Sequence, residues 1–186
     1  MKVYLQKQVK HLKVGSQIKN IISGGQRKRL NIALELIRNP AVLFVDEPTS
    51  GLSSIGSLKI MNILKELSLK GTLVFVVIHQ PSSDVFKQFN ELIVLDIGGY
   101  QIYSGTPSFA PTYFKRYLEY ANAESDSCLT CGNVNPEEIF DTIESKMINE
   151  FGVPNRERKF SPEKWYQIFQ ENQQKKSASH QVDPAK

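Results

Sequence analysis

The chain has 186 residues, of which 40% are hydrophobic and 23% charged, and this balance excludes a wholly disordered protein. Its formal net charge of +4 suits an anionic ligand but is too small to predict a protein that binds nucleic acid. Two cysteines exclude a disulfide-based scaffold, and no apolar run approaches the roughly 18 residues that a membrane-spanning helix needs. We therefore expect a soluble, intracellular chain of one-domain length.

Helical and strand patterns alternate between residues 21 and 105. The two apolar runs at 41–45 and 72–78 are typical of strands that are buried on both faces. The alternation predicts an α/β fold, with a mainly parallel sheet and helices on both of its faces. The predicted elements are a helix from Ser23 to Asn39-Pro40, a strand over 41–45, a helix over about 56–69, a strand over 72–78, a short helix over 81–88, a strand over 91–95 and a hairpin through Gly98-Gly99 to Tyr103.

Beyond residue 105 the pattern becomes helical. Three predicted helix starts carry a capping residue followed by proline, at Thr106-Pro107, Asn135-Pro136 and Ser161-Pro162. The polar composition near the carboxyl terminus is typical of a disordered end. The predicted organisation is an uncertain lead-in helix or loop over 1–20, the α/β part over 21–105, a helical appendage over 106–172 and a disordered tail over 173–186.

Two clusters of residues in the α/β part are candidates for phosphate chemistry. Ser23, Gly24, Gly25 and Gln26 begin a helix, where unpaired N–H groups and the helix dipole favour an anion. The adjacent Asp46 and Glu47 follow a predicted buried strand. One carboxylate there can hold Mg²⁺, and its neighbour can accept a proton from an attacking water.

His79 follows the next apolar strand and could reach a phosphate oxygen or orient a water. Each of the three motifs also fits a purely structural role: a capped helix, a solvated turn, or a histidine bonded to backbone. All three fall at the carboxyl ends of strands or at a helix start on one predicted sheet. Because open α/β sheets bind ligands at that edge, the combination favours phosphate chemistry.

The motifs resemble those of ABC-transporter ATPases. The segment 22–29 is similar to the signature motif, 43–48 to the Walker B strand with its catalytic glutamate, 49–54 to the D-loop and 78–83 to the switch-histidine loop. The forms SGGQRKR and IHQPSS, with GGYQIYSGTP and NPEEIFD, are most similar to the White/G-type subfamily. The resemblance covers about residues 20–145.

The resemblance implies that ATP is held between two nucleotide-binding domains arranged head to tail. Ser23, Gly24 and Gly25 would then contact the γ-phosphate of ATP in the partner domain, with Gln26 beside them. Asp46 would support Mg²⁺, Glu47 would act as the general base toward water, and His79 would contact the γ-phosphate in this chain's own site. The implied location is cytoplasmic, peripheral at the cytoplasmic face of a membrane, beside the transmembrane domain of a transporter.

The sequence departs from the family pattern in several places: Walker A, the aromatic adenine contact and the Q-loop have no matching position, and the D-loop differs at Ser53. It contains no G-x-x-x-x-G-K-[ST] loop, the Walker A motif whose backbone and lysine bind the phosphates. We therefore expect the chain to need a missing N-terminal half that carries Walker A, and to be an inactive ATPase on its own. The family usually has aspartate at the position of Ser53, and this change puts communication between the two ATP sites in doubt.

Two other classes of function remain open. The chain could be a non-catalytic, truncated interaction module that docks on a complete ABC ATPase through its signature face. It could also be a soluble ABC ATPase of the kind used in repair or translation, although the G-type forms after residue 98 disfavour this. Cys128 and Cys131 are best explained as incidental thiols, because zinc prefers four ligands and no second pair is nearby.

Overall fold

The computed structural model describes residues 21–118, 135–148 and 154–180. The chain forms two compact units, the first ending at Gln88 and the second beginning at Phe89. This division differs from the boundary predicted at residue 105. The strands after residue 89 pair with each other in a local hairpin, and so they belong with the second unit.

The first unit is an α/β unit with one pair of parallel strands. Strands β1 and β2 pair with Val42 opposite Leu73 and Asp46 opposite Val77. Helix α2 contacts both β2 and α3. The elements are α1 (Gly24–Glu35) with a 3-10 turn (Leu36–Arg38), β1 (Val42–Asp46), α2 (Ser54–Leu69), β2 (Leu73–Val77) and α3 (Ser83–Phe86).

Short-range capping defines the start of both long helices in this unit and the end of α2. The Ser23 side chain caps α1 and that of Ser53 caps α2, each by accepting a backbone N–H of the first turn. Gly71 follows α2 with a φ of +94°, a left-handed conformation that glycine adopts without strain. The helix starting after Ser23 is confirmed, as are the helix before Gly71 and the two strands.

The prediction that both strands are buried on both faces is wrong. Leu43 is buried, but its neighbour Phe44 on the opposite face is 75% exposed. Side chains alternate between the two faces of a strand, so one face of the pair is largely apolar and exposed. That face carries Val42, Phe44, Leu73, Phe75 and Val77, with Asp46 at its carboxyl end.

The second unit contains two antiparallel hairpins and three helices among the described residues. The hairpin predicted through Gly98-Gly99 is confirmed, with a register shift between Val94 and Leu95. The appendage predicted as helical over 106–172 contains helices and also a second hairpin, formed by β5 and β6. The elements are β3 (Leu92–Asp96), β4 (Tyr100–Gly105), a 3-10 turn (Pro107–Phe109), α4 (Ala110–Tyr117), α5 (Pro136–Ile143), β5 (Lys146–Ile148), β6 (Pro154–Arg158) and α6 (Pro162–His180).

Aromatic side chains form the core of the second unit. Trp165 and Phe114 are fully buried, and their rings meet edge to face with centroids 5.1 Å apart. Helix α6 continues to His180. The prediction of a disordered tail from residue 173 is therefore wrong for residues 173–180. Its later turns are rich in Gln, Lys and Ala, which favour helix. No helix within the described ranges is long and apolar enough to cross a membrane.

Candidate functional site

The carboxyl ends of β1 and β2 bring three of the predicted site residues to one edge. Asp46 is the last residue of β1 and lies opposite Val77, the last residue of β2. The backbone N–H of Glu47 donates to the carbonyl oxygen of Val77 at 2.9 Å, and His79 follows two residues later. Asp46 and His79 are exposed and Glu47 is half-buried. The site predicted at this edge is therefore accessible to a ligand.

The backbone of this edge is strained. Glu47, just after β1, has a φ of +46°, and Gln80, shortly after β2, has a φ of +48°. Both are non-glycine residues in the left-handed region. Such residues cost on the order of 1 kcal/mol or more and are concentrated at functional sites. The strain lies beside Asp46 and His79, where the sequence places the chemistry.

The signature-like segment begins helix α1 with a complete capping box. The Ser23 hydroxyl accepts the Gln26 backbone N–H at 3.3 Å, and the Gln26 side-chain oxygen accepts the Ser23 N–H at 2.7 Å. Ser23 and Gly24 are exposed, and Gly25 is half-buried. The positive end of a 12-residue helix is thus open to solvent, as an anion site requires.

Lys28 connects the start of α1 with the turn that follows β1. Its ammonium donates to the carbonyl oxygen of Glu47 at 2.6 Å and to that of Ser50 at 2.8 Å. The side chain of Leu52 lies near Gly25, because a Cβ built on that glycine would be 3.6 Å from Leu52 Cδ2. The structure therefore joins the helix start and the carboxylate turn of the same chain.

Sequence reasoning gave no role to Lys28, Ser50 or Leu52. A signal was present in the helical spacing, because Gly24 and Lys28 are four residues apart and share one face of α1. That spacing does not identify the partner of the Lys28 ammonium, because every residue has a backbone carbonyl and no sequence pattern marks the one that is bound.

The donor set at the strand edge suits Mg²⁺, which prefers carboxylate oxygens and usually completes its shell with water and substrate phosphates. Asp46 offers an exposed carboxylate and Glu47 a half-buried one. Within the described parts of the chain there is no group of three or more His, Cys, Asp or Glu residues that could hold a metal ion. A magnesium ion at Asp46 would therefore need oxygen ligands from a phosphate or from water. Cys128 and Cys131 lie outside the described residues.

Part of this site lies within a match to a known protein family. The family model described as "ABC transporter" matches residues 1–50, which include the signature-like segment and Asp46–Glu47. The Drosophila melanogaster protein scarlet is 43% identical over 102 residues, which is 55% of this chain and 15% of that protein. ABC transporter G family member 2 of Dictyostelium discoideum is 49% identical over 84 residues, 45% of this chain and 6% of that protein.

These comparisons show that the chain is similar to ABC transporters of the White/G-type branch. ABC transporter G family member 13 of Arabidopsis thaliana extends the match to 133 residues, at 38% identity over 69% of this chain and 20% of that protein. The matched stretch thus spans only a small part of the curated relatives.

Among solved structures, the ADP conformation of an ATP-binding cassette of an ABC transporter is similar. It has a TM-score of 0.46 and 26% identity, over 54% of this chain and 41% of that chain.

Proposed function

We propose that this chain supplies the signature, Walker B, D-loop and switch-histidine parts of the ATP-binding subunit of an ABC transporter. The whole machine would hydrolyse ATP to ADP and phosphate and couple this to movement of a substrate across a membrane. One observation carries the proposal: the exposed start of α1 and the edge with Asp46, Glu47 and His79 belong to one unit joined by Lys28. The similarity to G family ABC transporters supports it.

In this proposal the strand edge acts on ATP in the chain's own site. Asp46 holds Mg²⁺, which would neutralise phosphate charge when bound. Glu47 accepts a proton from the attacking water, because its carboxylate follows the strand at the ligand edge. His79 is exposed at the end of the neighbouring strand, where it can donate to a γ-phosphate oxygen.

The start of α1 is proposed to act on ATP in a second nucleotide-binding domain. Ser23, Gly24 and Gly25 present the positive end of the helix to the γ-phosphate of that partner, with Gln26 bonded beside them. The two domains would be arranged head to tail, on the cytoplasmic face of a membrane and beside a transmembrane domain. No contact with nucleic acid is part of the proposal.

The uncovered face of β1 and β2 supports a further partner, the N-terminal half with Walker A. Strands of a parallel sheet are normally covered on both faces, and here Phe44 and Val77 are 75% and 61% exposed. The sequence contains no Walker A loop of its own. We propose that a Walker A-bearing segment covers this face and completes the ATP site.

The test is to co-purify the chain with the Walker A-bearing segment of a G-type relative and to compare Glu47→Gln with the unchanged complex. A positioned base contributes about 10²–10⁴-fold, so turnover should fall by at least about 100-fold while ATP binding is retained. Glu35→Gln, at an exposed glutamate of the same unit, is the matched control and should keep full turnover.

Normal turnover by Glu47→Gln would contradict the catalytic assignment. A complex that binds a complete ABC ATPase but shows no turnover of its own would favour the non-catalytic interaction module instead.

A further inference from the structure

We infer that Lys28 is a positioning residue for Glu47, holding the backbone of the general base and joining it to the signature helix. The inference rests on the function proposed above. It starts from one side chain that reaches two carbonyl oxygens of the turn after β1, at 2.6 Å on Glu47 and 2.8 Å on Ser50.

Hydrogen bonds hold the peptide groups on either side of Glu47. Its N–H donates to Val77 at 2.9 Å, while its carbonyl oxygen accepts from Ser50 N at 3.3 Å and from the Lys28 ammonium. The Lys28 bond is charge-assisted and is shorter than the other two, so it is the strongest of the three. With both neighbouring peptides held, the direction of the Glu47 Cα–Cβ bond is fixed.

These bonds maintain an unusual backbone conformation at Glu47. Glu47 has a φ of +46°, which a non-glycine residue keeps only when its surroundings enforce it. Without the ammonium, the carbonyl oxygen of Glu47 would keep only the weaker bond from Ser50. The residue could then relax toward negative φ, which would turn its carboxylate away from the attacking water.

Lys28 also connects the two segments that are proposed to contact the two ATP molecules. Lys28 lies four residues after Gly24 on α1, and Leu52 packs near Gly25. Lys28 therefore belongs to the helix that is proposed to contact the partner's ATP, and its ammonium binds the turn that carries Glu47. A displacement of α1 when the partner's nucleotide binds would be transmitted to the Glu47 carbonyl through the Lys28 stem.

The experiment uses the ATPase-competent complex and measures kcat and KM for ATP in Lys28→Met and Lys28→Arg. A small misplacement of a catalytic group can cost up to about 100-fold, so Lys28→Met should lower kcat by about 10- to 100-fold. KM should stay within roughly twofold, because Lys28 bonds to backbone and not to nucleotide. Lys28→Arg keeps a charged donor and should recover part of kcat.

Lys59→Met is the matched control, since Lys59 is exposed on α2 of the same unit and should keep the kcat of the unchanged complex. If Lys28→Met does not give a folded complex by thermal unfolding, Lys28→Gln replaces it with the same expectation. An unchanged kcat, a rise in KM alone, or an equal loss in Lys59→Met would each overturn the inference.

The two failures can be told apart. If the unchanged complex hydrolyses ATP and Glu47→Gln does not, but Lys28→Met is fully active, only the inference about Lys28 is lost. If Glu47→Gln is as active as the unchanged complex, the proposed function fails and the inference falls with it.

Discussion

The rings of Phe44 and Phe75 stack with their centroids 4.9 Å apart and their planes at 9°. The two residues are register partners on β1 and β2, and both project onto the uncovered face of the strand pair. Stacking reduces the area that each ring exposes, but Phe44 is still 75% exposed. The face is therefore apolar, ordered by its own aromatic pair and open to a partner.

Neighbouring residues of β1 give a direct measure of how well each face is covered. Leu43→Ala should cost about 2–5 kcal/mol of unfolding free energy, because Leu43 is buried. Phe44→Ala should cost at most about 1.5 kcal/mol, mainly from the lost stack with Phe75. Urea denaturation of the full chain checks both. A cost for Phe44→Ala equal to that of Leu43→Ala would show that the face is covered in the chain alone.

Removing Arg158 should destabilise the second unit strongly. Its guanidinium contacts Oδ1 of Asp96 and Oε1 of Glu144, each at 2.9 Å, and the Asp96 side chain is only 5% exposed. Arg158→Met leaves that carboxylate buried without its cation, so we expect a loss of about 3 kcal/mol in the free energy of unfolding.

Two further variants isolate the Asp96 contact. Glu144→Gln should cost less than about 1 kcal/mol, because the Glu144 side chain is 66% exposed. Adding Asp96→Asn to Arg158→Met should recover part of the loss, since the buried charge is then gone. Equal effects of Arg158→Met and Glu144→Gln in chemical denaturation would argue against the buried pair.

Substitutions at Ser53 should distinguish the effect of helix capping on stability from the effect of charge. Its hydroxyl accepts the Gly56 N–H at 3.2 Å at the start of α2, so Ser53→Ala should lower the unfolding free energy by about 0.5–2 kcal/mol. Ser53→Asp, which introduces the residue usual in the family, should preserve stability, because aspartate caps as well as serine and its charge suits a helix start. Ser54→Ala, at the exposed next position, is the control in thermal unfolding.

Stability should fall in alkaline solution because of Tyr103, which is buried, and Tyr113, which is half-buried. Burial raises the pKa of Tyr103 from 10.0 to about 12, with the nearby Glu91 carboxylate adding to the effect. Burial likewise raises the pKa of Tyr113 to about 12, against a hydrogen bond from Asn172 that lowers it. The unfolded chain then loses these protons at lower pH than the folded chain, so unfolding becomes easier as pH rises between about 10 and about 12.

Urea denaturation at roughly pH 9, 10 and 11 measures this slope. Tyr103→Phe and Tyr113→Phe should each reduce it. A pH dependence of the unfolding free energy that is the same without Tyr103 and Tyr113 would contradict this prediction.

Interactions between near neighbours in the chain determined the features that the sequence predicted well. The Ser23 capping box, the Gly98-Gly99 hairpin and the Asn135-Pro136 helix start each depend on residues within about four positions. Local hydrogen bonding and fixed φ values act over this range. The motif residues Asp46, Glu47 and His79 were identified for a related reason, since each follows an apolar strand.

Local composition was a poor guide where continuation or long-range pairing decides the structure. Residues 173–180 look like a polar end, yet helix α6 extends through them, because each added turn propagates a helix already formed. The strands β5 and β6 were missed for a different reason. They are short, and their pairing shows little periodicity in the sequence.

The sequence by itself determined the family motifs, the helix starts and the alternation of helix and strand, because short-range chemistry specifies them. Only the tertiary structure decided that Lys28 reaches the carbonyl oxygens of Glu47 and Ser50, and that Phe44 lies on an uncovered face. Every residue offers the same backbone carbonyl, and an apolar run is the same whether or not a partner covers it. Such contacts depend on which surfaces meet after folding, and residue types alone do not specify that.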